Sequence, residues 1–377
     1  MDTYPRQWAF LLSVLLILLA GCKKTPGRED TPTDEVRISY AIGFTINHYD
    51  NYTQVTVKSP WDSSRILHTY ILIDRNKPIP ENHPDGTLVK VPVQSVACLY
   101  CIHVGILEQL GKLDKINAVA EPEFINIPAI QEGLQKKSIR SLGIASSIDI
   151  EQLMEAAPEL VFAAPFEGMG YGNMEKCGIP IAEDASYMES TPLGRAEWIK
   201  FIAAFMGEEE KGNQLFESIE KRYNSLKELT KSVSHPTVFA EKRYGQVWYV
   251  PGGQSYMGQL FADAGLNYLW KETSETGSLA LSPESVFEKA EKSDFWVIKD
   301  ADRDHNKTYQ AFAAENDSYK YFKAWQQRKI IYTNTTYSGY YERGILQPDV
   351  LLADLIRLVH PKLLPDYQPI YFQMMEE

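Results

Sequence analysis

Two cysteines, a tyrosine and a histidine stand together in Cys98-Leu-Tyr-Cys101-Ile-His103. The C-x-x-C spacing admits redox exchange, half of a metal site or a local disulfide. No second C-x-x-C follows to complete a zinc site, and after Cys22 only Cys177 is added, so at least one thiol is unpaired. An incidental or locally bridged pair is the expectation. His103 as an imidazole and Tyr337 as a phenolate could reach a metal centre, although a lone histidine near a helix start more often caps it or lies on the surface. The seven histidines are scattered without an H-x-H or H-x-x-x-H pair, which speaks against direct capture of zinc or manganese. No G-x-S-x-G, P-loop or H-E-x-x-H occurs, so no set of acid, base and nucleophile converges. An enzyme is not expected.

The elements that must position these residues come in a repeat. Asp149-Ile-Glu-Gln-Leu-Met-Glu-Ala-Ala-Pro-Glu-Leu-Val-Phe162 returns as Ser282-Pro-Glu-Ser-Val-Phe-Glu-Lys-Ala, followed by the apolar Phe295-Trp-Val-Ile298. Each copy has a helix cap, a glutamate, an apolar pair, Glu-x-Ala and then a strand. A separation of about 130 residues is too wide for a solenoid and fits two like α/β lobes with a cleft between them.

Residues 1–22 hold Arg6 in a short polar stretch, an apolar run from Trp8 to Ala20, and Leu19-Ala20-Gly21-Cys22. The run is too short for a comfortable membrane span, and small residues ahead of a cysteine mark a cleavage site. Residues 23–35 are polar and rich in Pro, Thr and charge, as a flexible tether is. The net charge of −12 argues against nucleic acid and suits a partner with basic docking residues.

Residues 36–92 alternate as strands and read as an N-terminal β extension. Leu88 to Val96 reads as the opening strand of the first lobe, which occupies residues 93–209. Apolar residues at 215, 219, 223, 226 and 229 make one continuous helical stripe, expected to be a rigid connecting helix over 210–232. The second lobe follows over 233–362, with a helix near Ala313 to Arg328 and another from Asp349 to Val359, and 363–377 is left as a tail. The fold class expected is α/β: two Rossmann-like lobes joined by one long α-helix, with a β extension in front.

Residues 1–22 resemble a bacterial lipoprotein signal, which makes Cys22 the lipid-bearing residue. Together with the paired glutamate segments, Gly252-Gly-Gln-Ser255, Tyr340-Tyr-Glu-Arg343 and Pro348-Asp-Val-Leu-Leu-Ala-Asp-Leu355, the chain resembles the helical-backbone class of ABC-transporter substrate-binding proteins over residues 88–360. That class serves siderophores, haem and cobalamin. Pro192-Leu-Gly-Arg-Ala-Glu-Trp-Ile-Lys200 is similar to the version in Bacteroides-type lipoproteins. The resemblance implies a monomer that captures an iron chelate, haem or a corrinoid, uses no cofactor or metal of its own, and is lipid-anchored at the periplasmic face. It also implies that Glu151 and Glu284 dock on arginines of the permease. By position it nominates Tyr100, His103, Phe124, Trp248, Tyr249, Tyr340, Tyr341 and Arg343 as ligand contacts, Arg343 for an anionic oxygen. A surface lipoprotein handing the ligand to an outer-membrane receptor, and a cofactor-handling enzyme on the same fold, are the alternatives.

Overall fold

The computed structural model describes residues 32–302 and 307–377. The signal segment, Cys22 and most of the tether lie outside them; the tether's last residues, Asp34–Glu35, form a short strand, β1. β2 (Phe44–His48), β3 (Thr53–Lys58), β4 (Ile66–Asp74) and β5 (Thr87–Val91) complete a five-stranded sheet in chain order. Its pairings are antiparallel except the last, because the chain crosses over between β4 and β5 and returns parallel. The expected strand from Leu88 to Val96 is thus divided. Its first half belongs to the extension, and β6 (Val96–Cys98) starts the first lobe after Pro92, which offers no N–H to a ladder.

The first lobe runs through α1 (Cys101–Leu110), β7 (Ile116–Val119), α2 (Pro128–Gln135), β8 (Arg140–Ser141), the hairpin β9 (Gly143–Ile144) and β10 (Ser147–Ile148), α3 (Ile150–Ala156), β11 (Leu160–Ala163) and β12 (Ile181–Glu183). Its sheet, β12-β11-β6-β7-β8, is parallel throughout. Strands buried on both faces explain the short apolar runs such as Leu-Val-Phe-Ala in β11.

Three helices then cross the molecule: α4 (Pro192–Glu197), α5 (Ile199–Met206) and α6 (Glu209–Leu229). α6 has 21 residues, about 30 Å at 1.5 Å per residue. It is tied to the first lobe where Lys211 Nζ donates to the Leu110 carbonyl at 2.8 Å, and to the second where Tyr223 Oη donates to Asp263 at 2.7 Å and Arg222 pairs with Asp349.

The second lobe comprises β13 (Thr237–Ala240), β14 (Arg243–Tyr244), β15 (Val247–Pro251), α7 (Tyr256–Asp263), β16 (Asn267–Tyr268), β17 (Ser278–Leu281), α8 (Pro283–Ala290), β18 (Phe295–Asp300), α9 (Tyr309–Glu315), α10 (Lys323–Gln326), β19 (Ile330–Asn334), α11 (Pro348–Val359) and β20 (Gln373–Met374). Its main sheet is β16-β13-β18-β19-β20, parallel but for β20. The helix expected from 313 to 328 is broken, since the Asn316 side chain accepts from Ser318 N at 3.1 Å and starts a separate turn that buries Tyr319. Residues 363–377 are not a loose tail. The buried Asp354 carboxylate accepts from the N–H groups of Ile370, Tyr371 and Phe372 at 2.6–3.0 Å, which lays β20 against β19.

The extension is fastened by two carboxylates. Glu197, fully buried, accepts from the N–H groups of Ser39, Tyr40 and Ala41 at 2.7–3.0 Å and from Lys200 Nζ at 2.9 Å. Glu189 accepts from Ile42 N and Gly43 N at 2.9 Å and from Trp198 Nε1 at 3.0 Å. Phe44 and Tyr70 then pack on Trp198 and Phe205, with ring centroids 4.7 and 5.2 Å apart.

Removing Glu197 leaves three N–H groups without their acceptor and takes the carboxylate partner from Lys200 Nζ, which keeps the Arg37 carbonyl at 2.8 Å. Glu197→Ala is expected to destabilise the chain by about 3 kcal/mol in urea unfolding, and a loss below about 1 kcal/mol would show that the extension is held by packing alone. In the second lobe, burial pushes the Asp294 carboxyl up, but hydrogen bonds from Lys323 and Thr237 outweigh it and hold it at about 2. A folded value below the unfolded one, about 3.9, contributes stability that is present above about pH 4 and lost as the pH falls toward 2. Asp294→Asn is expected to flatten that part of the acid limb; an unchanged limb would show that the carboxyl titrates alike in both states.

Candidate functional site

The strands of both lobes end at a shared opening, where ligands of open α/β sheets gather. After β6, Leu99 and Tyr100 lead into α1; after β7, Glu121 turns the chain in the left-handed region (φ 49°); after β11 comes the loop Phe166 to Met174; after β19 come Thr335 and Thr336. A cavity of about 270 Å³ lies between the lobes, with Tyr100, Cys101, Phe124 and Asn126 on one side and Thr335, Thr336 and Tyr341 on the other. A second cavity, of about 510 Å³, lies within the first lobe between the β9–β10 hairpin and the loop 166–174. Tyr100 and Glu121 line both cavities and so stand between them.

The walls are aromatic. Tyr100 and Phe166 have ring centroids 6.3 Å apart, and Phe166 and Tyr187 5.5 Å. Phe124, Phe166, Met169 and Tyr341 each leave between 41% and 65% of their surface exposed. Phe124 and Tyr341 expose this apolar surface to the interlobe cavity, and Phe166 and Met169 to the one beside it.

The lobes are bridged beside the interlobe cavity. Glu342 accepts from Asn126 N at 2.7 Å and Asn126 Nδ2 at 3.3 Å, and the same Nδ2 donates to the Thr336 carbonyl at 2.9 Å. A Cβ on Gly105 would stand 1.8 Å from the Glu342 carbonyl oxygen, so only glycine lets α1 meet the second lobe there. Burial pushes the Glu342 carboxyl up, with the Asn126 hydrogen bonds acting in the opposite sense. Burial, helped by Glu342, also pushes the Cys101 thiol up to about 12.

Glu151 and Glu284 occupy the same place in the two repeats. Asp149 caps α3 by accepting from Gln152 N and Ser282 caps α8 by accepting from Ser285 N, both at 3.1 Å. Each glutamate lies two residues after its cap, exposed, with no ion-pair partner among the described residues. A first-turn carboxylate is stabilised there by the helix dipole.

The family model described as periplasmic binding protein matches residues 96–337, nearly two thirds of the chain. The chain belongs to this family. As a periplasmic binding protein it is also similar over 86% of its length, at 29% identity, to an uncharacterized lipoprotein of Methanocaldococcus jannaschii, covering 82% of that protein. A second lipoprotein of the same organism is 25% identical over 94% of this chain and 95% of its own. Among solved structures it is similar to a periplasmic haem-binding protein of Vibrio cholerae (TM-score 0.58, 17% identity, 71% of this chain and 99% of that one). A haem-binding protein of Pseudomonas aeruginosa (TM-score 0.58, 16% identity, 76% and 99%) and a protein of an Fe3+-hydroxamate transport system of Saccharomonospora viridis (0.53, 19%, 71% and 92%) share the fold. Among the described residues, no helix is long and apolar enough to cross a membrane.

Of the residues nominated from sequence, this binding protein brings Tyr100, Phe124 and Tyr341 to the cleft. The others lie elsewhere. Trp248 is a core residue packed on Phe239, Trp296 and Phe322, because alternation along β15 turns it inward and Tyr249 outward to an exposed face away from both cavities. Tyr340 is buried with its hydroxyl 3.5 Å from Met257 Sδ, and His103 is buried behind Tyr100, its Nε2 3.5 Å from Asp184. Arg343 is held by both oxygens of Glu108 and is not among the residues lining either cavity. Cys98 and Cys101 are free thiols and not a disulfide. Sequence reasoning missed Glu121, Asn126, Thr335, Thr336, Phe166, Met169 and Tyr171; only the run Phe166-Glu-Gly-Met-Gly-Tyr-Gly172, glycines among apolar rings after a strand, carried a signal.

The placement separates fold from site. Trp248→Ala is expected to cost about 3–5 kcal/mol of stability, whereas Tyr341→Ala should stay within about 1 kcal/mol of the parent in the same urea titration. Equal losses would contradict the assignment of Trp248 to the core and Tyr341 to the cleft.

Proposed function

We propose that this binding protein is the solute-capturing component of an ABC importer, taking an iron chelate, haem or a corrinoid between its lobes and delivering it to the membrane permease without chemical change. The observation that carries the reading is the equivalence of Glu151 and Glu284, one per lobe, exposed and without an ion-pair partner among the described residues, at the same turn of matching helices. Ionised carboxylates so placed suit the guanidinium groups of a partner. The ring-lined cavities supply a surface for a large planar or partly apolar ligand, and the lipoprotein relatives favour attachment of Cys22 to lipid at the periplasmic face. Capture would close Phe124 and Tyr341 over the ligand by a modest tilt, limited by α6 and by the interlobe bridges.

Melting of the full-length chain in detergent against ferric siderophores, haemin and cobalamin, with free zinc and manganese as controls, tests the ligand class. A ligand at 100 times its dissociation constant adds about 2.7 kcal/mol. A shift with none of the chelates, or with free metal only, would sink the assignment. Glu151→Arg and Glu284→Arg are each expected to bind the same chelate unchanged and to abolish its uptake by the source cells; normal uptake by both variants would remove the docking role.

A further inference from the structure

The charges around the cleft say more about the ligand than its shape does. Among the described residues, the two cavities are lined by two charged side chains, Glu121 and Glu342, and by no lysine, arginine or histidine. Among the described residues, the cations beside the opening are engaged by other groups. Arg343 is held by Glu108, and Lys299 is paired with Glu241. Arg195 donates to the carbonyls of Tyr187 and Glu189 at 2.6 and 3.0 Å and lies over the Tyr256 ring, 4.5 Å from its centroid. On the second-lobe side Ala301 stands between Asp300 and Asp302, where, among the described residues, Lys242 and Lys307 meet Asp300, Asp302 and Glu315.

Glu121 is the more available of the two lining acids. Its backbone is held at φ 49°, a conformation unfavourable for a non-glycine residue that persists only where the surroundings enforce it. One of its carboxylate oxygens accepts from Ala145 N at 3.3 Å, and the residue stands at the junction of the two cavities. The neighbouring groups register the same field: the thiol of Cys101 is raised by burial and then by Glu342 and Glu121, and the hydroxyl of Tyr100 by burial and then by Glu121.

Resting on the reading of the cleft as a chelate site, we propose that it selects its ligand by charge, with Glu121 as the selecting residue and Glu342 in support, and that it takes a neutral or cationic complex, such as a ferric hydroxamate or a corrinoid, over an anionic one. A carboxylate about 10 Å from the centre of a charged ligand, at an effective dielectric of about 20, changes its affinity by about tenfold per unit charge. Haem with its two propionates and a triply charged ferric tricatecholate are both disfavoured on this account.

The test titrates the full-length chain in neutral detergent, by tryptophan quenching, with a singly cationic ferric trihydroxamate, neutral cyanocobalamin, haemin and a ferric tricatecholate. Glu121→Gln is compared with the parent after their melting temperatures have been matched. Binding of the cationic or neutral ligand at least tenfold tighter than that of either anion is expected, with Glu121→Gln weakening the cationic ligand about tenfold relative to the neutral one and strengthening the anions relative to it. Equal or tighter binding of an anion by the parent, or a preference that Glu121→Gln leaves intact, would overturn the charge assignment while the binding-protein reading stands. Binding of none of the four would overturn both.

Discussion

The Glu197 carboxylate, buried without access to solvent, is the interaction on which the rest of the arrangement depends. An ionised group in that position is tolerable only if its lone pairs are filled, and they are filled by the first residues of the extension and by Lys200. Its helix, α4, is therefore fixed in orientation, and α4 in turn carries Arg195 to the Tyr256 ring of the second lobe. α6 follows two turns later and pins Asp263 and Asp349. One short stretch of helices thus joins extension, first lobe and second lobe, and the cleft is what remains between bodies that cannot separate far.

The bridges beside the cleft set how far the lobes can move. Asn126 to Glu342 and Glu108 to Arg343 cross from one lobe to the other, and Gly105 brings two backbones into direct contact. An interlobe space of about 270 Å³ is below the roughly 300–1,000 Å³ of common ligand sites, whereas the cavity beside it in the first lobe, of about 510 Å³, falls within that range. A ligand larger than the interlobe space would have to engage both, and the residues it would move or touch in doing so are Tyr100 and Glu121. Among the described residues, neither is clamped by a lobe-to-lobe hydrogen bond, while Asn126 is. The adaptable part of the site is on the first-lobe side.

How much of this was legible in the sequence follows from the range of each signal. The repeated capped helices and the long stripe of α6 are local and periodic, so the two lobes and the strut could be read directly, and Glu151 and Glu284 came with them. Trp248 and Tyr249 were adjacent aromatic residues whose opposite fates depend on which face of β15 is buried, a fact fixed by packing on Phe239 and Trp296. Arg343 looked available because its partner, Glu108, is 235 residues away in sequence. The 363–377 segment carries little periodicity, yet Asp354 organises it through backbone N–H groups, which leave no trace in side-chain pattern.

The same geometry limits how a binding event could be signalled. Glu151 and Glu284 lie on separate lobes, so any partner that touches both reads their separation and tilt. α6, anchored at Leu110 in one lobe and at Asp263 and Asp349 in the other, resists a change in separation more than a change in tilt. Tilt is also the motion that the interlobe bridges oppose, since Asn126 and Glu342 must lengthen their hydrogen bond before the cleft widens. A ligand that presses on Phe124 and Tyr341 acts on the residues next to that bond. Occupancy of the cleft would thus bear on the relative pose of the two glutamates through α6 and the interlobe bridges together, without a dedicated pathway between them.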